Sequence, residues 1–402
     1  MKCHIIIIGS ELLNGRMIDT NSSYIAEELN KYGIEITGKS IVGDKKEDII
    51  SVLKKFYNEN DILLLSGGLG PTIDDITRDA VADFLKSDLI FSDIEFNKLK
   101  NRFIRMGIEM PERNKRQALF PENSKIISND KGSAPAFYVD KIAVFPGVPI
   151  ELENTFNKFI KRFAEENNLN SNIYIKDILV WGLPESELEK RILDIVEKEE
   201  EVFVEFLVKD FGIIVRLMSD ETLKNKSDNI KEKIYERIGE YIFGEDEDRL
   251  ENLLKKELEK YNYTISLAES CTGGLITSHL VSVSGISQFL KEGLIVYSNE
   301  AKVERLNVNM NTIKEFGAVS SETVKEMLEG LKTDTGIAVS GIAGPEGGTV
   351  EKPVGTVYIG VKIKDNYEIK KHFFRGDRER IRQRAALTGI NELINFIKKV
   401  NK

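Results

Sequence analysis

Along the first 170 positions apolar and polar residues alternate in two rhythms. Short apolar runs bounded by glycine or polar turns read as buried strands, at residues 3–10 (CHIIIIGS), 34–43 (IEITGKSIVG), 61–68 (DILLLSGG) and 141–149 (KIAVFPGVP). Between them apolar residues recur every three or four positions, the spacing of one helix face, at 20–33, 46–60, 74–86 and 150–168. Strand–helix alternation of this kind predicts a mostly parallel sheet with helices on both faces.

The rhythm changes near residue 170. After the polar NNLNSN come a strand at 174–182, a helix at 184–197, and two alternating strands, 201–208 and 211–219, joined by the hairpin signal KDFG. A helix at 221–239 completes a small α+β unit ending near Gly244. A third section follows, with a helix at 247–260, strands at 263–270, 291–299 and 335–344, and a helix at 272–282 between the first two. Residues 353–363 and 367–376 read as an antiparallel pair, and a long helix closes the chain. The expected architecture is therefore α/β: a doubly wound N-terminal domain (1–169), a small α+β connector (170–244) and a C-terminal α/β domain (245–402). No internal repeat or low-complexity segment interrupts it.

Bulk numbers narrow the function class. A chain of 402 residues exceeds one ordinary core, which fits several domains. The longest wholly apolar runs, such as Ile5 to Ile8, are far too short to span a membrane, and the run at the N-terminus reads as a first strand instead of a signal peptide. Two cysteines, Cys3 and Cys271, allow no disulfide framework, so a reducing cytoplasm is expected. The net charge of −9 argues against a general electrostatic grip on nucleic acid.

Candidate chemistry begins at SLAESCTGG (266–274), where Ser270 and Cys271 sit between a strand and a helix. Gly273 and Gly274 leave room for a ligand, and free N–H groups at a helix start can stabilise an oxyanion. The plainer reading is an N-cap serine above a packed cysteine. Three later stretches shift the balance: YSNEAK with Tyr297, Asn299 and Lys302; SGIAGPEGG with Ser340 and Gly341; and RGDRERIR with Arg378 and Arg382. At the C-terminal ends of parallel strands such stretches can share one crevice. A histidine base is improbable on distance, because His279 lies nine positions past Ser270, about 13 Å along a helix. A Ser–Lys arrangement assisted by Tyr297 stays open, provided that burial or a neighbouring cation lowers the lysine pKa.

These four stretches resemble the C-terminal domain of the CinA (competence/damage-inducible protein A) family, which also occurs alone as a PncC-type nicotinamide-mononucleotide amidohydrolase. The resemblance covers roughly residues 245–400. It implies Ser270 as nucleophile, Lys302 as base and Tyr297 as assistant, with Ser340 and Arg378 holding substrate. The family usually has threonine at the position of Ser340. The implied reaction is deamidation of nicotinamide mononucleotide to nicotinate mononucleotide and ammonia, with no cofactor.

A second constellation is LSGGLGPTIDDITRDAVA (65–82), a glycine-rich turn leaving a strand and entering a helix. The backbone N–H groups of Gly67, Gly68, Gly70 and Thr72 could cradle phosphate. Asp74, Asp75 and Asp79 lie in or beside the first helical turns, where capping from Thr72 to Asp75 accounts easily for one of them. Paired carboxylates beside a phosphate cradle suit Mg²⁺. Glu11, Asp19 and Asn21 follow the first strand, and Arg113, Asn114, Lys115, Arg116 and Gln117 form a polar cluster. Each stretch alone reads as surface loop.

Together these residues resemble the N-terminal domain of the CinA family, related to the molybdopterin-binding fold of MogA and MoeA, with 170–244 as its KH-like connector. The family loop usually reads GGTGPT, so Leu69 departs from it, as does APAF from APGF. The resemblance implies hydrolysis of ADP-ribose-type pyrophosphates to AMP and ribose 5-phosphate. It requires Mg²⁺ or another divalent metal, for which Asp74, Asp75, Glu11 and Asp19 are the candidate ligands, and Asn114 and Gln117 are candidate substrate contacts. The expected partners are small nucleotides and a second copy of the chain in a homodimer, with no membrane and no nucleic acid. Two rival functions remain: a molybdopterin carrier, and a DNA-uptake or repair partner.

Overall fold

The computed structural model describes residues 1–169, 173–197, 201–209 and 212–401. They fall into two compact units, Met1–Ile175 with Ser219–Lys224, and Lys176–Met218 with Asn225–Lys402.

The N-terminal unit contains β1 (Lys2–Ile8), β2 (Glu35–Val42), β3 (Ile62–Ser66), β4 (Leu89–Phe91), β5 (Leu119–Pro121), β6 (Lys125–Ile127), β7 (Ala136–Val139) and β8 (Ile142–Phe145). Six of them form one sheet in the order β2-β1-β3-β8-β7-β6, while β4 and β5 pair separately. β2, β1, β3 and β8 run parallel, and β7 and β6 extend that sheet antiparallel. Alternation explains why β1 is apolar throughout. Cys3, Ile5 and Ile7 enter one core cluster, and Ile6 and Ile8 enter another, because successive side chains point to opposite, helix-covered faces.

The helix expected at 74–86 begins later, at Thr77, because residues 71–76 form the turn that follows the glycine loop. The sequence reading left out the helix Asp93–Arg105, whose start carries the capping pattern Ser-x-x-Glu: the Ser92 hydroxyl accepts from the Glu95 N–H.

In the second unit, β9 (Ile173–Val180), β10 (Phe203–Lys209), β11 (Gly212–Asp220) and β12 (Ile242–Glu245) form a sheet in the order β10-β11-β9-β12, with β9 and β11 reaching into the first unit by a few residues. β10 and β11 pair antiparallel with Lys209 opposite Gly212, while the two middle residues of the expected KDFG turn lie outside the described residues. Helices Glu185–Val196 and Lys224–Ile238 supply Leu188, Ile192, Ile230 and Ile234 to its core.

The C-terminal sheet contains β13 (Ile265–Glu269), β14 (Leu290–Ile295), β15 (Thr335–Gly341), β16 (Thr356–Ile363) and β17 (Asn366–Phe373), in the order β14-β13-β15-β16-β17. The first three are parallel, and β16 and β17 close the sheet antiparallel. Between β14 and β15 lie three helices that the sequence reading did not assign: Asn299–Leu306, Met310–Phe316 and Ser321–Gly330.

A half-buried cluster joins three helices of this domain. His279 Nδ1 lies 2.6 Å from a Glu251 carboxylate oxygen, and His279 Nε2 lies 3.3 Å from Gln383 Oε1. The bond to Glu251 raises the His279 pKa despite burial. Burial pushes Glu251 up, but the His279 bond and nearby charges outweigh it and leave the carboxyl at about 2. The signs follow from linkage. The histidine's contribution is complete below its ordinary value of about 6.5 and fades as pH rises through the raised one. The carboxylate's contribution is complete above its ordinary range and fades as pH falls towards about 2. His279→Gln should therefore lower the urea midpoint more at about pH 5.5 than at about pH 9. An equal loss at both values would remove the ion pair from the account.

Candidate functional site

β13, β14 and β15 end together. The Val296 N–H donates to the Glu269 carbonyl (2.8 Å) and the Ser270 N–H donates to the Val339 carbonyl (3.0 Å). Because Glu269 is in register with Val339, Ser270 and Ser340 stand side by side at adjacent strand ends. Lys302 and Leu306 share the inward face of the helix Asn299–Leu306, as the four-residue spacing requires. Lys302 is only 1% exposed.

The lysine Nζ lies 3.2 Å from Ser270 Oγ and donates to the carbonyls of Val296 (2.9 Å) and Tyr297 (3.2 Å). Among the described residues it has no carboxylate ion pair, and burial draws its pKa below the ordinary lysine value. In the neutral form two protons serve the two nearer of three carbonyls, the Ser298 carbonyl lying farther at 3.5 Å, and the lone pair is left for the Ser270 proton. Next door, burial pushes the Cys271 thiol up to about 12.

The helix start differs from the sequence expectation. Its N–H groups are not free, because the Glu269 carboxylate, fully buried, accepts from the N–H groups of Gly274 (2.9 Å), Ile276 (3.1 Å) and Thr277 (2.8 Å) and from the Thr277 hydroxyl (2.6 Å). Among the described residues the amides of Cys271 and Thr272 make no hydrogen bond to another residue, so they are the N–H groups of this turn left for a ligand. Sequence reading missed Glu269, although a glutamate five positions before a Gly–Leu helix start was a usable sign.

The other expected residues are placed as follows. Tyr297 is 63% exposed, and its hydroxyl accepts from Arg378 Nη2 at 3.3 Å; its carbonyl, not its phenol, touches Lys302. Arg378 also donates to the Gly344 carbonyl (2.5 Å), joining the closing helix to the Gly341–Gly348 loop. Arg382 braces the nucleophile turn through the carbonyls of Cys271 (3.2 Å) and Thr272 (2.9 Å) and lies beside Gly273. Ser340 is buried and its hydroxyl donates to the Ala318 carbonyl (2.7 Å). Asn299 is exposed at the start of its helix.

In the N-terminal unit, Asn21 joins three loops that leave the sheet, donating to Ser66 Oγ (3.0 Å) and to the Gly147 carbonyl (2.7 Å). Gly67, at φ 115°, could carry no side chain, since a Cβ would lie 2.1 Å from the Ile8 carbonyl. At Gly68 a Cβ would meet the Thr77 hydroxyl at 2.1 Å. Both glycines are therefore required for the loop to pack against β1 and the helix that follows.

The carboxylates are less available than their spacing suggests. Asp75 accepts from Thr72 N (2.7 Å) and Oγ1 (2.5 Å) and lies against Gly70; Asp79 pairs with Arg116 (3.0 Å); Asp19 accepts from the Ser22 N–H (3.0 Å). Glu11 is exposed and folds back over Gly9. Asp74 is exposed, and its side chain bonds to no described residue. Among the described residues no three His, Cys, Asp or Glu side chains form a group that could hold a metal ion. Asp74, Asp75, Glu11 and Asp19 therefore make no protein cage; an ion here would depend on ligand phosphates, with Asp74 the open carboxylate. Asn114 and Gln117 are buried, with Asn114 donating to Gln117 (2.9 Å) and Gln117 to Ser133 Oγ (3.2 Å) and the Leu69 carbonyl (3.5 Å), so they brace the loop from behind.

A molybdopterin-binding-type α/β unit, a KH-like module and an α/β domain around a buried serine–lysine contact define a three-part class of protein. Family models match in that order: a probable molybdopterin binding domain (4–166), the damage-inducible protein CinA KH domain (176–244) and the CinA C-terminal domain (247–397). A CinA-like protein from Fusobacterium nucleatum subsp. nucleatum is 47% identical over 99% of both chains. A putative competence-damage inducible protein from Clostridioides difficile is 37% identical over 98% of both. The chain belongs to the CinA family. A solved competence or damage-inducible protein from Enterobacter asburiae is 34% identical, with 37% of this chain covering 96% of it at a TM-score of 0.36. Among the described residues no helix is long and apolar enough to cross a membrane.

Proposed function

We propose that the C-terminal domain is an amidohydrolase that converts nicotinamide mononucleotide to nicotinate mononucleotide and ammonia. The observation that carries this reading is the 3.2 Å contact between Ser270 Oγ and a buried, carboxylate-free Lys302. Lys302 takes the Ser270 proton as Oγ attacks the carboxamide carbon. The Cys271 and Thr272 amides hold the oxyanion of the tetrahedral intermediate. The leaving nitrogen takes a proton back from Lys302 and departs as ammonia. Water, deprotonated in turn by Lys302, then cleaves the acyl-enzyme and restores Ser270. Arg378 supplies a cation for the nucleotide phosphate, and Tyr297, held by that arginine, closes one side of the site. The direct test is ammonia release from nicotinamide mononucleotide by the purified chain.

A second activity is proposed for the N-terminal unit: hydrolysis of ADP-ribose-type pyrophosphates to AMP and ribose 5-phosphate. Its support is the glycine loop at Gly67 and Gly68 entering the helix Thr77–Leu85. A divalent ion, bound with the substrate phosphates and Asp74, would neutralise pyrophosphate charge. EDTA should suppress AMP release and leave ammonia release largely intact; Asp74→Ala should mimic only the first effect. Loss of both activities to the chelator in a folded protein would end the two-site reading. The assembly proposed for both activities is a homodimer, which light scattering measures directly.

A further inference from the structure

Arg382, near the start of the closing helix Arg378–Val400, meets the nucleophile turn with one whole edge of its guanidinium. Nε donates to the Cys271 carbonyl at 3.2 Å, and Nη2 donates to the Thr272 carbonyl at 2.9 Å. These two donors lie side by side in a rigid fork, so they fix two acceptors at once. From the other edge Nη1 donates to Glu379 (2.8 Å), which also accepts from Gln383 Nε2 (3.1 Å). Arg378, one helical turn earlier, bonds instead to the Gly344 carbonyl and the Tyr297 hydroxyl.

In a trans peptide the carbonyl and the N–H point in opposite directions, so holding one aims the other. The Ser270 carbonyl is held by the Gly273 N–H (3.2 Å), and the Thr272 carbonyl takes the Leu275 N–H (3.3 Å) besides Arg382. Between them, the Cys271 carbonyl has Arg382 as its only hydrogen-bond partner among the described residues. That middle plane carries the Thr272 N–H. The next plane carries the Gly273 N–H, so the fork also steadies the bond that orients the Cys271 N–H. Cys271 and Thr272 are buried, and without the guanidinium the Cys271 carbonyl would lack a partner, leaving its plane to turn towards another donor.

We propose that Arg382 is a positioning residue for the amidase reaction: its fork fixes the carbonyls of the nucleophile turn on one side and thereby presets the Cys271 and Thr272 amides as oxyanion donors on the other. Donors held in place before the reaction cost no reorganisation when charge develops, so the benefit falls on the chemical step. The fork itself is committed to the turn, which separates the task of Arg382 from the phosphate-holding task of Arg378. This rests on the amidase reading and adds the side chain that sets its oxyanion donors.

The test is steady-state ammonia release from nicotinamide mononucleotide by the full chain, each rate divided by the folded fraction from circular dichroism. Arg382→Ala should lower kcat about tenfold to a hundredfold and leave KM within about threefold of the unaltered value. Arg382→Lys keeps the charge but not the two-donor edge, so it should lose a similar factor, and it serves if the alanine variant does not fold. Unchanged kcat per folded molecule in Arg382→Ala, or full kcat in Arg382→Lys, overturns the role of the fork and leaves the amidase reading intact. A KM raised about tenfold or more makes Arg382 a substrate contact and overturns the proposal as well. No ammonia release by the unaltered chain overturns the amidase reading, and this proposal with it.

Discussion

Replacing Ser270 with alanine is expected to reduce ammonia release from nicotinamide mononucleotide at least about a thousandfold, because no other nucleophile is in place. The adjacent Cys271 thiol is disqualified by its environment, and the neighbouring Ser340 hydroxyl is spent on the Ala318 carbonyl. Burial pushes Cys271 up to about 12, so at neutral pH the thiol stays protonated and lacks the reactive thiolate. Cys271→Ala should accordingly keep most of the activity, with any loss coming from packing against its core cluster. Full inactivation by Cys271→Ala alongside an active Ser270→Ala protein would reverse the assignment.

Lys302→Ala should cost about 10²- to 10⁴-fold in kcat, the usual range for removing a positioned general base. Lys302→Arg should not restore it, since arginine stays protonated in proteins. The pH dependence has a definite sign. The base works only when neutral, and burial lowers its pKa, so the rate should climb with pH along a limb lying below the ordinary lysine value of about 10.4. That limb should vanish in Lys302→Ala. A profile unchanged by the substitution would remove Lys302 from proton transfer, whatever the loss in rate.

Much of the C-terminal site was legible because its chemistry sits in short, local motifs. A serine between a strand and two glycines, and a lysine six residues after Val296, can be read without knowing how they meet. Glu269 was not legible in the same way. Its partners, the amides of Gly274, Ile276 and Thr277, are anonymous in sequence and become acceptor-seeking only once a helix starts there. The N-terminal carboxylates show the opposite error. Asp74 and Asp75, with Glu11 and Asp19, look like metal ligands by type and spacing, yet Thr72 holds Asp75 and the Ser22 amide holds Asp19.

Sequence alone determined the strand–helix order of the N-terminal sheet, the glycine turn at residues 67–70 and the identity of Ser270 and Lys302, because periodicity, backbone freedom and side-chain chemistry are properties of the residues themselves. Tertiary structure alone decided which of those groups could act. Lys302 loses proton affinity because it is buried among carbonyls, and Asp75 and Asp79 are unavailable to an ion because Thr72 and Arg116 hold them. Proton affinity and charge balance depend on desolvation and on partners remote in the chain, and neither exists until the chain has folded.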